Sequence, residues 1–138
     1  MNGALPDFYY RVRDNGAMVF RVDGENRQRR IEMDQIAVVN LNKGEIKPHG
    51  EHVLSDEETA EITAWMEARQ ALLARRALDD IHRTVDGLNV TAQWAQSKAS
   101  DDDLDEVTDA LLLAMHDLRS VLVRRRADRI LKGAAQKD

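Results

Sequence analysis

Residues 78–121, LDDIHRTVDGLNVTAQWAQSKASDDDLDEVTDALLLAMHDLRSV, decide the architecture. Leu78, Ile81, Val85, Leu88, Ala92 and Ala95 recur at alternating spacings of three and four, and Leu104, Val107, Leu111, Ala114, Leu118 and Val121 repeat the pattern. Each set is a heptad seam along one face of an α-helix. Between them lies Ser97–Asp103, rich in polar turn formers, with Ser100 placed as an N-cap and Asp101, Asp102 and Asp103 in the first turn that follows. Folding the second helix back on the first pairs Ala95 with Leu104, Ala92 with Val107, Leu88 with Leu111, Val85 with Ala114, Ile81 with Leu118 and Leu78 with Val121. Every pair of numbers sums to 199, so one register serves the whole seam. Small residues oppose larger ones at three of these layers, which fills the interface evenly.

The seam leaves apolar residues over. Leu112, Met115 and Leu122 form a second stripe on the last helix, with Leu113 and Val123 further round. A helix apolar around most of its circumference is buried around most of it, and one partner helix cannot cover that much. A homodimer closing a four-helix bundle over Leu112, Met115, Leu122 and Val123 is the simplest solution; a monomer whose sheet curls over both helices is the alternative. On the first helix Ile62, Trp65, Met66, Leu72 and Leu73 make a stripe rotated away from the seam, assigned to the sheet.

Upstream, Ser55-Asp56-Glu57-Glu58 is a capping box, and its acids complement the positive end of the helix dipole. From there to about Lys98 only Gly87 interrupts helical character, as either a kink or a break. The last helix is expected from Asp101 to Leu131, with Gly133 as its stop. Before Ser55 the chain reads as strands. Phe8–Arg13 alternates with period two, Asn15-Gly16 is a hairpin signal, and Ala17–Val22 returns with Met18, Phe20 and Val22 on one face. A turn at Asp23-Gly24-Glu25-Asn26 leads to a poorer strand, Arg27–Met33. Ile36–Leu41 is apolar and β-branched, and Asn42-Lys43-Gly44 turns it into Glu45–Lys47 before Pro48. The expectation is an α+β chain: an N-terminal antiparallel β-meander of four or five strands followed by a long antiparallel helical hairpin. Such a meander is too thin to stand alone and needs helix on one face. All 138 residues form one domain on this reading, with the meander over 1–54, the hairpin over 55–132 and a loose tail over 133–138.

Composition narrows the function classes. No cysteine is present, which excludes disulfides, thiolate catalysis and Cys-based zinc sites. Met1–Asp7 shows no basic start or apolar run, and the longest apolar stretch, Ala110–Met115, is far below the roughly 20 residues of a membrane helix. A cytoplasmic protein without a membrane role is expected. Net charge is −5, all of it from residues 55–138, which hold 12 basic and 17 acidic side chains against 8 and 8 before them. That balance weighs mildly against an obligate nucleic-acid binder.

Motifs for chemistry are absent. His49 and His52 fall in the link between sheet and helix; His82 and His116 come close in the hairpin register, but His116 lies on the far side of its helix from the seam, and no Glu-x-x-His pair accompanies them. No metal or other cofactor is expected. No nucleophile elbow or Gly-rich phosphate loop occurs, and adjacent acids such as Asp79-Asp80 have no apolar pocket to separate their pKa values. An enzyme is not expected. One feature carries weight: Arg119, Arg124, Arg125, Arg126, Arg129 and Lys132 crowd the last helix, with Arg75 and Arg76 brought alongside by the register and Arg27, Arg29 and Arg30 able to enlarge the patch. Acids gather at the other end, from Asp101 to Asp109. Helix-dipole complementation accounts for such a distribution without function; an acidic protein partner or a phosphate backbone would use it. No aromatic interleaves with the arginines, so base stacking is not indicated. The leading expectation is a non-catalytic interaction or regulatory protein that oligomerises through its hairpin. The second is a nucleic-acid-associated regulator using Arg75, Arg76, Arg124, Arg125, Arg126 and Arg129.

Overall fold

A computed structural model describes residues 5–24 and 30–137. Strands β1 (Phe8–Arg13), β2 (Gly16–Asp23), β3 (Glu32–Asn40) and β4 (Glu45–Pro48) form one antiparallel sheet in the order β1-β2-β3-β4, and helices α1 (Asp56–Ser97) and α2 (Asp101–Lys137) follow. The chain is α+β, a meander and then a helical hairpin. Two compact units divide it, one up to Ile81 and one from His82. The division falls inside α1 rather than between sheet and helix, because the first turns of α1 belong to the core of the sheet.

That core gathers Val19, Ile36, Ala37, Val39, Leu41, Ile62 and Met66, with Phe8, Tyr10, Ile46, Leu54, Trp65 and Leu73 packed around it. Ile62, Met66, Trp65 and Leu73 are thus the sheet-facing stripe of α1 as expected, while Leu72 stays 41% exposed. Tyr10 stacks on Trp65 with ring centroids 4.4 Å apart. The face of β2 that meets the helix is not Met18, Phe20 and Val22, however. Tyr10 pairs with Val19 and Val12 with Ala17, so Ala17 and Val19 look toward α1. Phe20, paired with Tyr9, lies on the opposite face under the Arg11 guanidinium, 4.5 Å from its ring centre. Small side chains on the roofed face let α1 sit close to the sheet.

A bulge interrupts the alternation of β3. Val19 pairs with Ala37 and Phe20 with Gln35, leaving Ile36 as the extra residue, and both Ile36 and Ala37 enter the core. The two expected strands, Arg27–Met33 and Ile36–Leu41, are therefore one strand from Glu32. The start of the first of them and half of the Asp23–Asn26 turn fall within residues 25–29, outside the described residues, as do Arg27 and Arg29. Gly16 also differs from its expected role. It is the first residue of β2, and a Cβ there would collide with the Val39 carbonyl oxygen, so glycine serves a close strand approach rather than the turn. The adjacent turns are knotted together: Asn15 Nδ2 donates to Asn40 Oδ1 at 2.9 Å, and the Asn42 amide donates to Asn15 Oδ1 at 2.9 Å.

The caps form as read. Glu58 N–H donates to Ser55 Oγ and Ser55 N–H donates to Glu58 Oε1, both at 3.0 Å. Glu58 is also 3.0 Å from His52 Nε2, and these contacts, the Ser55 amide first, hold its carboxyl below the ordinary Glu value. Gly87 does not break α1, which runs unbroken for 42 residues. Gly133 does not stop α2, which continues to Lys137, so residues 133–137 of the expected loose tail are helical. One glycine costs about 1 kcal/mol, too little to end a helix whose neighbours favour it.

Candidate interaction surface

Ser100 starts α2 with a second reciprocal cap: Asp103 N–H donates to Ser100 Oγ at 3.1 Å, and Ser100 N–H donates to Asp103 Oδ2 at 3.3 Å. A short linker therefore joins α1 to α2 within the second unit, and the seam can be followed outward from it. Leu104, Val107 and Leu111 are half-buried near the turn. Leu88 and Val85 on α1 are 39% and 49% exposed, and Leu118 and Val121 on α2 are 52% and 49% exposed. Ala92 and Ala95, the seam residues of α1 next to the turn, are exposed too. The expected seam is therefore not buried along its length, Leu78 and Ile81 on α1 being 52% and 60% exposed as well.

The second stripe is open. Leu112 is 59% exposed, Met115 50%, Leu122 60% and Val123 54%, with Leu113 at 67% beside them. In the sheet unit, by contrast, Val19, Ala37 and Ile62 are fully buried. Scattered exposed leucines are ordinary; a run of them along several turns of one helix marks a surface that meets something.

The arginines of α2 stand next to that stripe. Leu122, Val123, Arg125, Arg126, Asp128, Arg129 and Lys132 line one shallow depression on the helix. Among the described residues no carboxylate pairs with Arg124, Arg125, Arg126 or Arg129. Arg75 donates twice to Asp79 Oδ1, at 3.1 and 3.2 Å, one turn along α1, which occupies part of its charge; Arg76 is exposed beside it. Both belong to the first unit, the other four arginines to the second.

The extent of α2 bears on the electrostatics. Dipole compensation is confined to the first and last turns. Asp101, Asp102 and Asp103 occupy the first turn, but Asp105, Glu106 and Asp109 lie beyond it, and Arg124–Lys132 stop more than a turn short of Lys137. Dipole complementation therefore explains the first three acids and not the rest of the pattern.

The sequence did not single out Arg69. It falls within the apolar stripe of α1, one turn past Trp65, and lines a cleft with Val12, Arg13, Asp14, Asn15 and Leu73. Its Nε is buried without a hydrogen-bond partner. A charged residue at an apolar position of the 62-65-66-69-73 pattern was the available signal. Its neighbour Gln70 donates to the Leu41 carbonyl at 3.0 Å, fixing the helix to the end of β3.

Among the described residues no helix is long and apolar enough to cross a membrane. No family model matches the chain, and neither a curated protein nor a solved structure similar to it was found.

Proposed function

We propose that this chain is a non-catalytic interaction protein of the cytoplasm that self-associates through its helical hairpin. The supporting observation is the open stripe on α2, with Leu112, Met115, Leu122 and Val123 each at least half exposed while the sheet unit closes its own core. Burying such a stripe is favourable at roughly 25 cal/mol per Å² of apolar surface, and the simplest partner able to do so is an identical surface related by a two-fold axis. Sedimentation equilibrium tests this. The expected mass is twice the 15.7 kDa of one chain, falling toward it on replacing Leu112 and Leu122 by Asp. A monomer at every concentration contradicts it.

A second reading uses the unpaired arginines at 124, 125, 126 and 129 for a phosphate backbone. Retention on a DNA or RNA column that moderate salt abolishes, and that is lost on replacing Arg124, Arg125 and Arg126 by Glu, would favour it.

A further inference from the structure

Deepening the self-association reading, and resting on it, we propose that α2 pairs antiparallel with the α2 of a second copy about a two-fold axis level with Asp117. The open stripe extends at heptad spacing through Asp105, Thr108, Leu112, Met115, Arg119, Leu122, Arg126 and Arg129. Laid antiparallel, these residues match when their numbers sum to 234. Leu112 meets Leu122 of the second copy, Met115 meets Arg119, Thr108 meets Arg126 and Asp105 meets Arg129. Each contact occurs twice by symmetry. One register thus joins leucine to leucine near the centre and carboxylate to guanidinium at the ends. Level with these, Asp102 comes beside Lys132 and Asp109 beside Arg125; Glu106 beside Asp128 is a like-charged level. At the middle layers the Arg119 stem can lie along Met115 with its charged head in water.

Charge selects this arrangement. Asp105 and Asp109 lack an ion-pair partner among the described residues, as do Arg125, Arg126 and Arg129. A parallel pairing would set the acidic ends against each other and the basic ends against each other, and like-charge juxtaposition disfavours a complex strongly. The charge pattern beyond the terminal turns, which the helix dipole leaves unexplained, is what an antiparallel copy needs.

The cysteine-free sequence gives a clean test in the full-length protein. Spin labels attached at Ala110→Cys or Ala134→Cys report distances across the dimer. With a rise of 1.5 Å per residue, the antiparallel register predicts axial separations of about 21 Å at 110 and about 51 Å at 134. Asp105→Arg alone and Arg129→Asp alone should each weaken dimerisation about tenfold, and the double exchange should restore it. A dimer whose two label distances are similarly short is parallel and overturns this pairing while sparing self-association. A dimer insensitive to the exchanges overturns the register. A monomer, or a stripe occupied by nucleic acid or an unrelated protein, overturns both.

Discussion

The two halves of this chain solve the burial problem differently. In the first, a four-stranded sheet and the early turns of α1 enclose Val19, Ala37 and Ile62 completely. In the second, two helices as long and regular as any in the molecule leave Leu112, Leu113 and Leu122 about 60% exposed or more. Regular secondary structure and a finished core are separate achievements. A sheet presents a broad face that one helix can roof; a helix presents a cylinder that one neighbour cannot.

Mutations at the two cores would sharpen this contrast most. Ile62→Ala should cost about 2–5 kcal/mol, the range for deleting buried methyl groups, read by urea denaturation at any protein concentration. Leu122→Ala should instead show a loss that grows with concentration, because only assembly buries that side chain. Equal, concentration-independent losses would break the distinction. Next in size is Gly16→Ala, where the Cβ would meet the Val39 carbonyl; a loss of about 1–3 kcal/mol in thermal unfolding is expected, from forcing β2 and β3 apart.

Smaller effects concern the start of α1. Ser55→Ala should remove about 1 kcal/mol by opening the capping box. Glu58 adds a pH dependence. Its folded pKa lies below the ordinary value of 4.5, so the unfolded chain takes up its proton first as pH falls; its stabilisation is complete above about pH 5 and is lost as pH drops through the folded value. Glu58→Gln should flatten that part of the stability profile. At the alkaline side Tyr10, which donates to the Glu61 carbonyl and stacks on Trp65, is pushed up to about 12, first by burial and then by the Glu61 carboxylate. The unfolded chain releases this proton near 10, so stability should fall between about pH 10 and 12, and Tyr10→Phe should remove that fall.

Local features were legible in the sequence because their physics is local. Ser55–Glu58 and Ser100–Asp103 need only a four-residue spacing, and both caps form. The heptads announced two helices for the same reason. Choosing the roofed face of the sheet required tertiary information: Met18 and Phe20 are bulkier than Val19, yet Val19 packs with Ile62 and Met66 of α1. The bulge at Ile36 shifts the alternation by one, which no strand reading of fixed period can follow. Gly133 and Gly87 look like stops and are not, since α2 and α1 continue through them and one glycine costs only about 1 kcal/mol. Of the candidate surface, the stripe at Leu112, Met115, Leu122 and Val123 could be read from spacing alone. Arg69 left a trace as a charge at an apolar position, but such a trace reveals neither the burial of its Nε nor the cleft beside it.

Hydrogen exchange as a function of protein concentration addresses the central claim directly: one half completes its core within the chain and the other is completed by a second copy. The predicted result is protection of the Ile36–Leu41 amides that does not change on dilution, together with protection over Leu111–Val123 that falls as the protein is diluted. Protection of both segments that ignores concentration would contradict it.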